Sequence, residues 1–260
     1  MKKTIRKRRW GAKAAALCAG AVFAAPVFVT LLLSLRYENG FPTLGQYGEL
    51  LITNYTFLSY FWNSVYYALG ITITCVALSF PLGFLFAKVR FPGRNALLFI
   101  FVIAMMLPFQ ATLLPTYIQL RDFGLLNSPA ALVLALSFSP FAVFLFHQFI
   151  KTIPSDLLDC ATLETSSVFQ IFRYAVIPQI RPAVVALSVI VFCESWNMVE
   201  PVLVFAAKNP DIHPLSVRLG DLPESVSFSA ATVYMVPILF LFLLFRDKLA
   251  ASMGRFNWGK

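Results

Sequence analysis

The chain has 260 residues, of which 59% are hydrophobic, and it carries 27 Phe against 12 acidic side chains. A water-exposed protein of this size cannot be so apolar, which excludes an ordinary soluble globular domain and makes lipid the solvent for much of the chain. The net charge of +9 raises nucleic-acid binding as a reading, so the placement of the charges has to decide.

Six apolar runs follow one another at about 14–35, 63–87, 96–118, 129–150, 182–205 and 228–245, each near the roughly 20 residues with which a helix crosses about 30 Å of hydrocarbon. A closed barrel would span with shorter, alternating segments. The expected fold is therefore all-α: a polytopic membrane protein of six transmembrane helices, forming one domain over 1–260. Lys2, Lys3, Arg6, Lys7, Arg8 and Arg9 precede the first run. That run exceeds the about 7–15 apolar residues of a signal peptide and reads as a retained helix. The pair Arg8-Arg9 also suggests twin-arginine export, a route that five further spans make implausible.

Even span number places both termini on one side, together with the loops near 88–95 and 151–181. That side holds 17 of the 21 Lys and Arg, and the other holds Arg36, Arg121, Lys208 and Arg218. The charge asymmetry is topological. By the positive-inside rule both termini and those two loops are cytoplasmic, which removes the nucleic-acid reading. The opposite loops, about 36–62, 119–128 and 207–227, are too short to recognise a large ligand alone, and the last is rich in turn-forming Pro and Asp.

Segment 151–181 is longer than topology requires. Pro154-Ser155 starts a short amphipathic helix in which Leu157, Leu158, Ala161 and Leu163 mix with Asp156, Asp159 and Glu164. Thr165, Ser166 and Ser167 interrupt it, and Val168, Phe169, Ile171 and Phe172 make a second apolar turn before Pro178. Exposed apolar surface of this kind marks a partner interface or a helix lying on lipid headgroups.

In the fifth span sit Glu194, Trp196, Asn197 and Glu200. A charge in hydrocarbon costs about 2.5–3.5 kcal/mol on insertion scales, so the acids should face the bundle interior or a watery path. Glu194 and Asn197 are three apart and share a helical face, whereas Glu200, six positions on, should point elsewhere, nearer the outer interface. Two roles stay open for the pair: lining a translocation path for a polar solute such as a sugar, with Trp196 as a stacking surface, or hydrogen bonding between helices. Pro81, Pro108, Pro115, Pro140, Pro201 and Pro237 should kink their spans. His147 reads as an interfacial polar tip and His213 as a turn residue. Cys18, Cys75, Cys160 and Cys193 show no CxxC spacing, so neither a disulfide framework nor a metal site is indicated.

Segment 151–181 resembles the coupling loop of the permease subunits of bacterial ABC importers for carbohydrates, the family of the maltose and glycerol-3-phosphate permeases. There a Glu-Ala-Ala triplet is followed by an acid, a Gly and later a Pro; here Asp159-Cys160-Ala161, Glu164-Thr165, Ile177-Pro178 and Arg181-Pro182 stand in that order. Asn63-Ser64, Phe91-Pro92-Gly93, Pro108-Phe109-Gln110 with Pro115, Gly124-Leu125-Leu126-Asn127, Ile153-Pro154 and Trp196-Asn197 extend the likeness over nearly the whole chain. Thr165 replaces the family's Gly, and a β-branched residue disfavours the positive φ that Gly would permit.

The resemblance implies a permease subunit forming half of the path for a carbohydrate or related polar solute in the bacterial plasma membrane. Its implied partners are a second permease, related but different, two cytoplasmic ATPase subunits that bind ATP and Mg, and an extracytoplasmic solute-binding protein. In that reading Asp159, Ala161, Glu164, Phe169 and Phe172 belong to the ATPase-coupling loop. No G-x-x-x-x-G-K-[ST] loop occurs in this chain, so it is expected to be no enzyme and to draw its energy from elsewhere. An ion-coupled secondary transporter and a non-transporting membrane scaffold are the alternatives.

Overall fold

The computed structural model describes the backbone of residues 2–38, 41–53 and 55–255, and side chains over 18–35, 43–53 and 55–246. The basic side chains of the N-terminus, from Lys2 to Lys13, those from Lys248 onward, and Arg36 lie outside the described side chains.

In a lipid environment the backbone must satisfy its own hydrogen bonds, and the apolar runs do so as helices. Helix α1 covers Lys2–Leu33 and leads into a short antiparallel ribbon of β1, Arg36–Glu38, and β2, Phe41–Thr43. This ribbon is a small departure from the all-α expectation. Next come α2, Gly45–Gly48, a π-helical turn at Glu49–Thr53, and α3, Tyr55–Lys88. Helices α4, Arg94–Ala104, α5, Phe109–Asp122, α6, Pro129–Leu136, and α7, Pro140–Lys151, follow. The segment after them contains α8, Ser155–Glu164, α9, Val168–Gln170, and a π-helical stretch, Ile171–Val176, that runs into α10, Ile177–Trp196. The chain closes with α11, Glu200–Phe205, α12, Leu215–Arg218, and α13, Glu224–Arg255.

Among the described residues three stretches are long and apolar enough to cross a membrane: Tyr55–Lys88, Val168–Trp196 and Glu224–Arg246. Two bent pairs, α4 with α5 and α6 with α7, raise the number to five if each is one span, and Cys18–Leu33 is a shorter apolar helix. The bends have local causes. Pro108 lacks an N–H and adopts extended backbone at φ −64°, ψ 141°, and the pair turns there by 103°. At the second break Ser139 adopts extended φ/ψ, accepts from the Ala142 N–H, and is followed by Pro140 at the first helical position, so a new helix starts 42° off the old one. Pro81 and Pro237 lie inside helices that continue through them.

The chain packs as two units. One comprises 1–58 with 218–237, the other 59–217 with 238–260. In the first, Leu50, Phe57, Val226 and Ala230 are buried, Ser34 shares a 2.7 Å hydrogen bond with the Tyr47 hydroxyl, and Ser225 donates to Glu49 at 3.0 Å.

The second unit has a continuous core through Tyr67 and Ile71 of α3, Leu132 of α6, Phe146 and Ile150 of α7, Ile180 and Leu187 of α10, and Phe205 of α11. Helices α3 and α7 touch at Gly83, where an added Cβ would come within 2.5 Å of Phe146 Cβ and 3.0 Å of the His147 backbone nitrogen. The His147 side chain is buried, at 5% exposure. At one end of the unit the start of α3 pins the segment 211–215. Asn63 donates to the carbonyls of Asp211 and His213 at 2.8 and 3.1 Å, Tyr67 to that of Ile212 at 2.8 Å, and the Leu215 N–H to Ser64 at 2.8 Å. His213 is buried there with its Nε2 3.0 Å from the Ala206 carbonyl.

Candidate translocation path and coupling surface

The fifth apolar run does not fold as one helix. Helix α10 ends at Trp196; Asn197 leaves helical geometry at φ −94°, ψ 12°, and Val199 at φ −125°, ψ −58° precedes α11. Pro201 is at the second position of α11, where its missing N–H is not needed, so the sequence is suited to restarting a helix there. Asn197 completes the end of α10: its backbone N–H and its Nδ2 both donate to the Cys193 carbonyl, at 3.2 and 2.8 Å. The Ser216 hydroxyl donates to the Met198 carbonyl inside the break.

A cavity of about 500 Å³ opens at this break. Its walls come from Ile71 and Cys75 of α3, Phe109 of α5, Leu136 and Ser139 at the bend between α6 and α7, and Val191, Glu194, Ser195 and 197–201 of the broken span. Glu194 and Asn197 both line it, as the helical spacing implies. Glu200 lines it too. In an unbroken helix a residue six positions on would face away, and the three non-helical residues 197–199 reset that phase. Its carboxylate is held by Gln110 of α5, whose Nε2 donates to the two oxygens at 3.2 and 3.0 Å. In sequence Gln110 is visible only as part of a short Pro-Phe-Gln landmark, and nothing there marks its partner.

Trp196 does not present its face to the cavity. Its side chain is 0% exposed, stacked at 5.7 Å and 15° on Phe192 and edge-on to Phe61 at 5.8 Å, so the stacking role expected for it is corrected to that of a core anchor. The apolar run from Val191 to Trp196 buries three of its larger groups, leaving Glu194 and Asn197 on the open side.

In segment 151–181 the two apolar clusters separate by role. Leu163, Val168 and Phe169 are exposed, Phe169 at 69%. Phe172 instead turns inward between Phe80 and Phe84 of α3, at 4.9 and 4.8 Å in edge-on geometry. It ties the segment to the bundle and is half-buried, so unlike Phe169 it serves the core as well as the surface. Lys88 at the end of α3 donates to the Ile153 carbonyl and fixes where the segment begins. Asp159 and Glu164 are exposed and Ala161 is half-buried. A groove of about 390 Å³ runs beside them, lined by Leu157, Ala161, Glu164, Thr165, Ile171 and Tyr174 among others.

Thr165 is accommodated without strain. Its backbone is extended at φ −150°, ψ 142°, so no positive φ is needed. Its hydroxyl pairs with the Gln170 side chain and accepts from the Ser167 N–H at 3.1 Å, so the branched residue replaces backbone freedom with a local side-chain turn.

Among the described residues no group of three or more His, Cys, Asp or Glu side chains could hold a metal ion.

Residues 79–255 match the family described as binding-protein-dependent transport system inner membrane component. The chain belongs to that family. The arabinooligosaccharides transport system permease protein AraQ of Halalkalibacterium halodurans is 26% identical over 90% of this chain and 89% of its own length. The protein of the same name from Bacillus subtilis is 28% identical over 85% of each. Over a shorter stretch, 52% of this chain and 48% of its own length, the sn-glycerol-3-phosphate transport system permease protein UgpE of Agrobacterium fabrum is 37% identical. In fold, a chain of a bacterial ABC transporter involved in the import of the acidic polysaccharide alginate superposes with a TM-score of 0.81, covering 94% of this chain and 98% of its own, at 17% identity. As a member of this family the chain is a multi-pass inner-membrane permease subunit of an ABC importer, a transport component and not a member of a known enzyme family.

Proposed function

We propose that this permease subunit forms half of a carbohydrate path and that the solute passes the cavity at the broken fifth span. The single observation that carries the reading is that break: it places Glu194, Asn197 and Glu200 on one cavity wall inside an otherwise apolar bundle. All three side chains are exposed on the open side of the break, and charged groups at the depth of an apolar bundle are expensive in a membrane unless a watery path uses them. The relatives named for arabinooligosaccharides support a saccharide as cargo.

In this reading the chain is one transmembrane domain of six spans. The bent pairs α4–α5 and α6–α7 each count as one span and α1 as the first. Both termini and segment 151–181 lie in the cytoplasm. Leu163, Val168 and Phe169 are the apolar contacts for an ATPase subunit, with Asp159 and Glu164 fixing orientation and Ala161 flooring the groove. Two such ATPases bind ATP and Mg, and their closure switches a pair of permeases between inward-open and outward-open states by differential binding. The second permease is a related, different chain. A solute-binding protein delivers cargo at the face bearing 206–217.

The test is radiolabelled sugar uptake by the complete importer, with a panel of saccharides and the variants Glu194→Gln and Asn197→Ala. Loss of affinity or turnover of about tenfold is expected from either variant, since a site built to hydrogen-bond a hydroxyl loses at least that when the partner is removed. Unchanged affinity and turnover in both would return the two residues to a purely helix-bracing role.

A further inference from the structure

The chemistry of the cavity wall says more than that it is polar. Its charged members are Glu194 and Glu200, and Ser139, Ser195, Asn197 and Cys75 supply the remaining polar atoms. Among the described residues no Lys, Arg or His lines it, although the chain as a whole is at +9. No ion pair among those residues neutralises either glutamate; the ion pairs there join Arg121 with Asp122 and Arg218 with Asp221. Gln110 reaches both oxygens of Glu200, which positions the carboxylate without cancelling its charge.

A cleft of one sign with low-dielectric walls focuses its field and changes local ion concentrations by about tenfold to a thousandfold. We infer that the path is selective by charge: it admits uncharged and cationic polar solutes and repels anionic ones. The cargo class of this chain is then a saccharide without phosphate or carboxylate groups, amino sugars included. The inference rests on the cavity being the path, and Glu194 and Glu200 are its specificity-determining residues. Gln110 is a positioning residue that keeps the second charge on the wall.

The potential can be read without knowing the cargo. Val199 lines the cavity and is 40% exposed, so Val199→Cys gives a reporter thiol. The native Cys18, Cys75, Cys160 and Cys193 are replaced by Ala in the assembled importer, held in lipid nanodiscs. The probes are two methanethiosulfonate reagents of similar size, one bearing a trimethylammonium group and the other a sulfonate. Their relative rates at the reporter thiol are divided by the same ratio for a free thiol in solution.

An excess of about tenfold for the cationic reagent is expected, collapsing toward the solution ratio when Glu194→Gln and Glu200→Gln are added together. A ratio equal to that in solution, or one that the double variant leaves unchanged, overturns charge selection while leaving the path reading intact. A reporter that reacts with neither reagent shows that water does not reach the cavity, and removes the path reading and this inference together.

Discussion

At the scale of single residues, two positions bear constraints that composition hides. Gly83 lies where α3 meets α7, and a Cβ there would collide with Phe146 Cβ and press on the following backbone. Gly83→Ala is therefore expected to destabilise the solubilised assembly by about 1–3 kcal/mol, the usual cost of overpacking a filled contact. Thermal unfolding of the purified complex reads this directly, and an unchanged transition would mean that the helices can part at that point. Asn127 takes the left-handed region at φ 61°. Its Oδ1 accepts from the Lys208 N–H at 2.8 Å, its carbonyl from Asn209 Nδ2 at 3.2 Å, and its own N–H donates to the Phe205 carbonyl at 2.8 Å. Asn127→Ala should lose the side-chain bond and strain the backbone as well, for about 1–2 kcal/mol. Asn127→Gly relieves the strain alone, so its loss should be smaller in the same assay. The sequence displays Gly-Leu-Leu-Asn as a landmark, yet only the fold shows which carbonyl and amide the Asn serves.

At the scale of elements, the segment from α8 to the start of α10 shows what periodicity can and cannot tell. Its helix, its Thr-Ser-Ser interruption and its second apolar turn are all legible, because local spacing and breaker residues set them. Which aromatic faces out is not, since Phe169 and Phe172 are three apart and a helix would put them on the same side. The π-helical stretch from Ile171 and the packing of Phe172 on Phe80 and Phe84 separate them. Two opposite outcomes are expected. Phe169→Asp should leave the thermal stability of the permease unchanged while the ATPase is lost on gentle co-purification, because an exposed ring contributes to a partner and not to the core. Phe172→Ala should instead lower stability by about 3 kcal/mol, the low end of the range of about 3–5 kcal/mol for a core Phe→Ala because the ring is not fully enclosed. Mass spectrometry of the co-purified chains and a melting curve separate the two, and an ATPase retained by Phe169→Asp would remove that ring from the docking surface.

Across the whole molecule, the sequence showed its apolar runs and their order, since about 20 consecutive apolar residues leave little alternative to a helix in lipid. It concealed where those runs break. The bend at Pro108 and the restart at Pro140 have visible prolines, but Pro81 and Pro237 are prolines too and their helices run on. At Pro140 the neighbourhood shows the difference: Ser139 caps a new helix there, whereas Pro81 is embedded in a long apolar run with no capping residue immediately ahead of it. The break at 197–199 matters most, because it moves Glu200 onto the wall beside Glu194 and so gives the cavity two acids instead of one.

That wall also bears on how transport is energised. Two acids in a broken span are what an ion-coupled carrier would use to bind its coupling cation, and the family match assigns the chain to binding-protein-dependent transport instead. The two mechanisms part under a protonophore. Vesicles containing the complete importer, with ATP on the side of segment 151–181, are expected to keep accumulating labelled sugar when the proton and sodium gradients are collapsed, and to stop when ATP is withdrawn. Uptake that follows the ion gradient and ignores ATP would make Glu194 and Glu200 coupling groups. ATP-dependent uptake that persists without a gradient leaves them to act on the solute, where their charge can discriminate but supplies no energy.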